Sequence, residues 1–126
     1  MKLDPDCTRA ILLAIEEVCD INHGFDSVKN LSSIACNYTE DKILYHAQQC
    51  NMAGMLVNFK RYYGDFWSVV DLSPKGHEFL ANIRNENIWS NVKDISKKVG
   101  SSSLDAITRI AANVISELIK AHFNIR

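Results

Sequence analysis

One stretch constrains the fold more than any other. Between Tyr38 and Leu56 a capped helical segment stops at a glycine and runs directly into a β-rich segment. Thr39 supplies a hydroxyl cap, and Glu40 and Asp41 follow in the first turn, where the helix dipole favours carboxylates. Ile43, Ala47 and Cys50 recur at helical spacing and predict an inward face, flanked by Leu44. Lys42, Tyr45, His46, Gln48 and Gln49 take the other sides, and Gly54 ends the helix. The β-rich runs Met55 to Tyr63 and Phe66 to Leu72 flank Tyr63-Gly64-Asp65, the pattern of a hairpin. Ser73-Pro74 restarts a helix with a cap followed by a proline at the first helical position, and Phe79, Leu80 and Ile83 mark its inner face. Helix, hairpin and helix in this order predict a mainly α chain with a small β-hairpin, an α+β fold.

The flanks are helical too. Asp4-Pro5 predicts the start of a first helix, with Ile11, Leu12, Ile15, Val18 and Cys19 on its apolar face and Gly24 as a left-handed stop. Leu31, Ile34 and Ala35 suit a short second helix capped by Asn30, and Asn37 suits a tight left-handed turn. After a break at Asn85-Glu86-Asn87, the stripe Ile88, Val92, Ile95 and Val99, with Trp89 beside it, predicts a fifth helix ended by Gly100. Ser102 and Asp105 look like a capping pair for a last helix. In that helix Leu104, Ile107, Ala111, Val114 and Leu118 repeat with spacing 3, 4, 3, 4, and Ile110, Ile115 and Ile119 flank them.

With 126 residues the chain is expected to form one domain. Its formal net charge of −1 excludes coating of nucleic acid by bulk charge but leaves room for a local basic surface. Its four cysteines, Cys7, Cys19, Cys36 and Cys50, are widely spaced, without C-x-x-C or zinc-ligand spacing, and read as reduced, packed residues of a reducing compartment. The N-terminus lacks the apolar core of a signal peptide, and no run approaches the roughly 20 apolar residues of a membrane span. A cytoplasmic location without membrane contact is expected. There is no Gly-rich phosphate loop and no H-E-x-x-H. The pair His77-Glu78 is better explained as part of a helix start than as acid/base machinery. The expectation is therefore no enzyme, no metal and no cofactor.

Two motifs carry a resemblance. Tyr45-His46-x3-Cys50-x2-Ala53-Gly54-Met55-Leu56 resembles the end of a winged-helix recognition helix. Leu72-Ser73-Pro74-Lys75-Gly76-His77-Glu78-Phe79-Leu80 resembles the segment that follows the wing in many such regulators. Most of the chain is similar to a family of small, uncharacterised bacterial and phage-borne proteins, a domain of unknown function. The match includes Met1 to Asp4, Ile11 to Glu17, Gly76 to Arg84, and Trp89 four residues after Asn85. The sequence departs from the winged-helix pattern at Ala47 and Cys50, where a large aliphatic is usual, and at Glu40-Asp41, where small or amide residues are usual.

The resemblance implies a winged helix-turn-helix over approximately residues 1–84, with 85–126 as a C-terminal helical extension. By analogy it implies a small transcriptional regulator of phage or mobile-element type that binds double-stranded DNA. The residues of suitable chemistry are Lys42, Tyr45, His46, Gln48 and Gln49 for the groove, and Lys60 and Arg61 in the wing for the backbone, with Lys29 as a further charge. Leu104, Ile107, Ala111, Val114 and Leu118 are candidates for a homodimer seam, or for packing within one subunit. The rival reading is a protein–protein interaction module that binds no DNA and uses the last helix together with Tyr62, Tyr63, Phe66 and Trp67.

Overall fold

A computed structural model describes residues 1–34 and 38–123. Over these residues the chain is an α+β fold of six α-helices and short antiparallel strands. In order these are α1 (Pro5–Val18), β1 (Phe25–Asp26), α2 (Ser27–Asn30) with a 3-10 turn (Leu31–Ser33), α3 (Glu40–Met52), β2 (Leu56–Val57) and β3 (Lys60–Arg61). They are followed by β4 (Trp67–Val69), β5 (Asp71–Leu72), α4 (Pro74–Ile83), α5 (Glu86–Val99) and α6 (Leu104–Phe123).

The helix starts follow from their caps. Asp4 Oδ1 accepts the Asp6 and Cys7 amides, Thr39 Oγ1 accepts the Lys42 amide, and Asn85 Oδ1 accepts the Asn87 and Ile88 amides. Such a cap is worth about 1 kcal/mol, because it satisfies amides that the helix cannot. Pro5 and Pro74 occupy first-turn positions where no amide is needed. The expected cap of the last helix is shifted by one residue. Ser103, not Ser102, accepts the Ala106 amide at 3.1 Å.

The β region is more divided than the sequence predicts. Each hairpin arm is interrupted, because Asn58 adopts a left-handed φ of 51° and separates β2 from β3. Leu56 pairs with Leu72 in one ladder, whereas Arg61 pairs with Trp67 and Lys60 with Ser68 in the other. The turn itself falls where expected, with Gly64 at φ 74° and the Tyr62 amide bonded to the Phe66 carbonyl. No sequence pattern announces β1, since two residues are too few to show alternation. It adds to β4 through Phe25–Val69 and Asp26–Ser68, giving the order β1-β4-β3.

Gly24 does not stop α1. That helix ends at Val18 with Cys19 extended, and Asp20 and His23 then exchange backbone hydrogen bonds. Gly24 is instead where β1 approaches β4, since a Cβ there would lie 2.8 Å from the Val69 carbonyl oxygen. The short second helix is capped by Asp26 rather than Asn30, and the Asn30 side chain accepts the Asp26 amide. Ala35, Cys36 and Asn37 lie outside the described residues.

One contiguous apolar cluster runs from Cys7 to Ala111 and draws on every helix except α2. The stripes expected on α1, α3 and α4 face it as read, with Val18 and Cys19 half-buried at the end of α1. In α5 the buried face is Trp89, Val92 and Ser96, while Ile95 and Val99 are exposed. Trp89 rotates the helix, because its indole N–H reaches the Asp6 carboxylate at 2.8 Å while its ring fills the core. The sheet adds Trp67, stacked on Phe25 with ring centroids 5.2 Å apart and tilted against Phe59 at 5.8 Å.

Candidate nucleic-acid interface

The two sequence motifs meet in space. Ser73, the cap of α4, donates its hydroxyl to the Gly54 carbonyl at 2.5 Å and accepts the Gly76 amide at 3.1 Å. Its own amide donates to the Met55 carbonyl at 2.8 Å. Gly76 lies so close that a Cβ would sit 2.3 Å from that same Met55 oxygen. The Gly54 stop, at φ 80°, and the Ser-Pro-x-Gly start therefore form one knot, which fixes the C-terminal end of α3 and the first residue of the hairpin. That knot gives the two motifs their physical content.

The other end of α3 is tied to α1 by residues expected to face a ligand. His46 is 0 % exposed. Its Nε2 accepts the Asp4 amide at 2.8 Å, so the ring proton sits on Nδ1, which donates to the Lys42 carbonyl at 2.7 Å. Both ring nitrogens are thus used inside the fold, and His46 is not a base-reading residue. Lys42 is likewise engaged, with its ammonium 2.7 Å from Asp4 Oδ2 and lying over the Tyr38 ring at 5.0 Å. Burial works to raise the Asp4 carboxyl. The hydrogen bonds from Lys42 and from the Cys7 and Asp6 amides outweigh it and hold that group below the usual carboxylate range. Lys42 and His46 lie i, i+4 on one side of α3, so a single N-cap on α1 receives both.

The outward face that remains contains Asp41, Tyr45, Gln48, Gln49 and Met52. Tyr45, Gln48 and Gln49 are half-buried, and Met52 is exposed. Tyr45 stands edge-on to His46 at 5.1 Å. This face offers amide donors and acceptors, a phenol and a thioether, but no cation. Any cation must come from its neighbours. Lys29 on α2 is exposed, as are Lys60 and Arg61 on β3.

The hairpin separates the last two. Opposed residues in an antiparallel ladder share a face, and successive residues alternate. Arg61, opposite Trp67, is therefore on the face turned towards the helices, and Lys60, opposite Ser68, is on the other. Lys60 instead lines a polar concavity of about 490 Å³ with Asp20, His23, Asp26, Tyr62 and Ser68. Trp67, expected at a partner surface, is buried, whereas Tyr63 is 97 % exposed at the hairpin tip.

A feature that no local pattern announces lies between α2, the start of α3 and the hairpin turn. A notch of about 200 Å³ is lined by Val28, Leu31, Phe66 and Trp67 and bordered by the carboxylates of Glu40 and Asp65. Its members come from three separate stretches of chain, so only the fold assembles it. Among the described residues, no group of three or more His, Cys, Asp or Glu side chains is placed to hold a metal ion. Cys7, Cys19 and Cys50 are free, and burial pushes the Cys7 and Cys50 thiols up to about 12 and the Cys19 thiol up to about 11. No helix among the described residues is long and apolar enough to cross a membrane.

This architecture, two small antiparallel sheets set among the six helices of the described residues, is that of an α+β protein whose defining feature is the clamped α3–hairpin unit. Residues 2–103 match the family described as "Hypothetical protein (DUF2513)", and the chain belongs to that family. It is similar to an uncharacterised protein of Haemophilus influenzae, 28 % identical over 122 residues that cover 94 % of this chain and 99 % of the relative. No solved structure matches the chain.

Proposed function

We propose that the protein is a winged-helix module that binds double-stranded DNA and acts as a small regulator. The observation that carries the reading is the amide- and phenol-bearing outer face of α3, followed along the chain by a hairpin whose β3 carries the exposed cations Lys60 and Arg61. The order of elements from α1 to β5 also supports it. Three helical segments are followed by an antiparallel hairpin, and β1 closes the sheet beside β4. In this reading α3 is the recognition helix and β3–β4 the wing. Gln48 and Gln49 have the fork that suits adenine edges, and Tyr45 packs beside them. Arg61 and Lys29 hold phosphates, Lys60 reaches a phosphate only from the opposite face of the hairpin, and Lys42 and His46 take no part in recognition.

So few cations give weak binding that falls steeply with salt unless a second copy doubles them. A fluorescence-anisotropy titration of a mixed-sequence duplex at low and moderate salt tests the reading. Binding is expected at low salt. Replacing Lys60 and Arg61 together by alanine weakens it on every sequence, and the slope of log K against log salt shrinks by about 0.9 for each phosphate no longer neutralised. Absence of binding at low salt rejects the proposal.

One observation favours a second reading, a protein-interaction module. Glu40 and Asp65 border the apolar notch beside α3, where a phosphate backbone would otherwise run. Carboxylates over an apolar floor suit a partner's lysine or arginine side chain rather than a phosphate. A chain that ignores duplex DNA but binds a basic peptide, and loses it in Glu40→Gln with Asp65→Asn, would select this reading.

A further inference from the structure

α6 is 20 residues long, roughly 30 Å at 1.5 Å per residue. Its inner face is buried only through Leu104, Ile107 and Ala111. The expected seam is thus consumed, in its first half, by packing within the chain. The same face does not end there. Leu118 follows Ala111 by seven residues, two helical turns, and Ile115 and Ile119 flank it. Leu118 is 48 % exposed and Ile119 51 % exposed, and no residue of α6 beyond Ala111 is buried.

α5 shows the matching pattern. Because Trp89 turns Val92 and Ser96 inward, Ile95 and Val99 are exposed, and Ile95 stands beside α6. Between the two helices runs a groove of about 480 Å³. Ile95, Ile110, Val114 and Leu118 line it, and Asp94, Lys98 and Glu117 border it.

We propose that this groove receives the distal half of α6 from a second copy of the same chain, forming a two-fold dimer. The amphipathic segment Ile115–Phe123 has the shape of such an occupant, an apolar ridge that a groove between two helices accepts. Charge favours a copy over another partner. The border carries Asp94 and Lys98 on α5 and Glu117 on α6, and Lys120 pairs with Glu117 at 3.6 Å, so both signs stand at the rim. A two-fold axis brings the same patch against itself, so each sign can meet its opposite, whereas a partner of one dominant sign would meet a repelling charge whichever way it lay. The dimer buries Ile95, Leu118 and Ile119 and leaves Leu104, Ile107 and Ala111 to the core of each subunit. It does not depend on DNA binding.

Sedimentation velocity of the full chain over a concentration series tests this. A species of twice the chain mass is expected. Leu118→Glu and Ile95→Glu each raise the dissociation constant by at least about tenfold, or 1.4 kcal/mol. Lys98→Glu alone and Glu117→Lys alone weaken the dimer, and the double variant restores it. Both charged positions are on the surface, so this pair keeps the test intact if an apolar-to-charged change disturbs folding. A chain that stays monomeric at every concentration overturns the proposal. So does a dimer indifferent to Leu118→Glu and Ile95→Glu when circular dichroism shows both variants folded.

Discussion

α3 and α6 are both amphipathic, and in both the outer positions look available to a partner when read along the sequence. The fold uses them differently. In α3 the polar residues nearest the core are drawn inward, as His46 and Lys42 close on Asp4 and leave an outer face without a cation. In α6 the apolar residues farthest along the helix are left outside, because full burial ends at Ala111, and Val114 packs only at the edge of the core, while the helix runs on to Phe123. Periodicity tells which side of a helix a residue occupies. It does not tell how far along that side the rest of the protein reaches, nor whether a polar residue at the edge meets an inward partner.

Substitutions can break this contrast, and the largest effects are expected at α3. Gly76→Ala drives a Cβ against the Met55 carbonyl in the knot that ends α3 and should cost on the order of 3 kcal/mol in urea unfolding, as overpacking against backbone does. His46→Ala should cost about 2–4 kcal/mol, since it opens a cavity and leaves the Asp4 amide and Lys42 carbonyl unpaired. An unchanged denaturation midpoint in His46→Ala would make that residue a candidate for ligand binding again. The distal half of α6 should behave in the opposite way. Leu118→Glu at concentrations low enough to hold the chain monomeric should leave the folding stability within about 0.5 kcal/mol of the parent.

The buried cysteines sharpen the comparison through pH. An unfolded thiol titrates near its ordinary value of about 8.5. Cys7 and Cys50 titrate at about 12 in the folded chain, so the native state holds those protons more tightly. Their contribution to stability is complete below the unfolded value and disappears as pH climbs towards 12. Unfolding midpoints measured between neutral and alkaline pH should fall accordingly, and Cys7→Ser with Cys50→Ala should flatten that fall. The smallest effect is expected from Lys42→Ala on duplex affinity, because its ammonium already belongs to Asp4. A loss as large as that of Arg61→Ala would show that Lys42 leaves Asp4 on binding.

Much of the fold is legible in the sequence wherever the signal is local. Caps at Asp4, Thr39 and Ser73, stops at Gly54 and Gly100, and the turn at Gly64 each need only a few neighbouring residues, and the structure contains all of them, whereas Asn85, read only as part of a break, caps α5. The rest depends on contacts distant in sequence. β1 exists because β4 is there to pair with it, and Gly24 is required by the Val69 carbonyl rather than by a helix end. The α5 stripe is misread because Trp89 outcompetes Ile95 and Val99 for the core once Asp6 offers it a hydrogen bond. The candidate site follows the same rule. Lys60 and Arg61 are exposed and Tyr45, Gln48 and Gln49 half-buried, whereas the burial of His46 depends on an amide 42 residues away.

The outer face of α3 is the centre of the account, and amide chemical-shift mapping of the labelled protein with a short duplex at low salt tests it most directly. Shifts concentrated on Tyr45, Gln48, Gln49, Met52 and the turn from Arg61 to Phe66, with Asp4 and His46 little changed, are the predicted result. A spectrum that the duplex leaves unaltered, or shifts confined to α5 and α6, would contradict it.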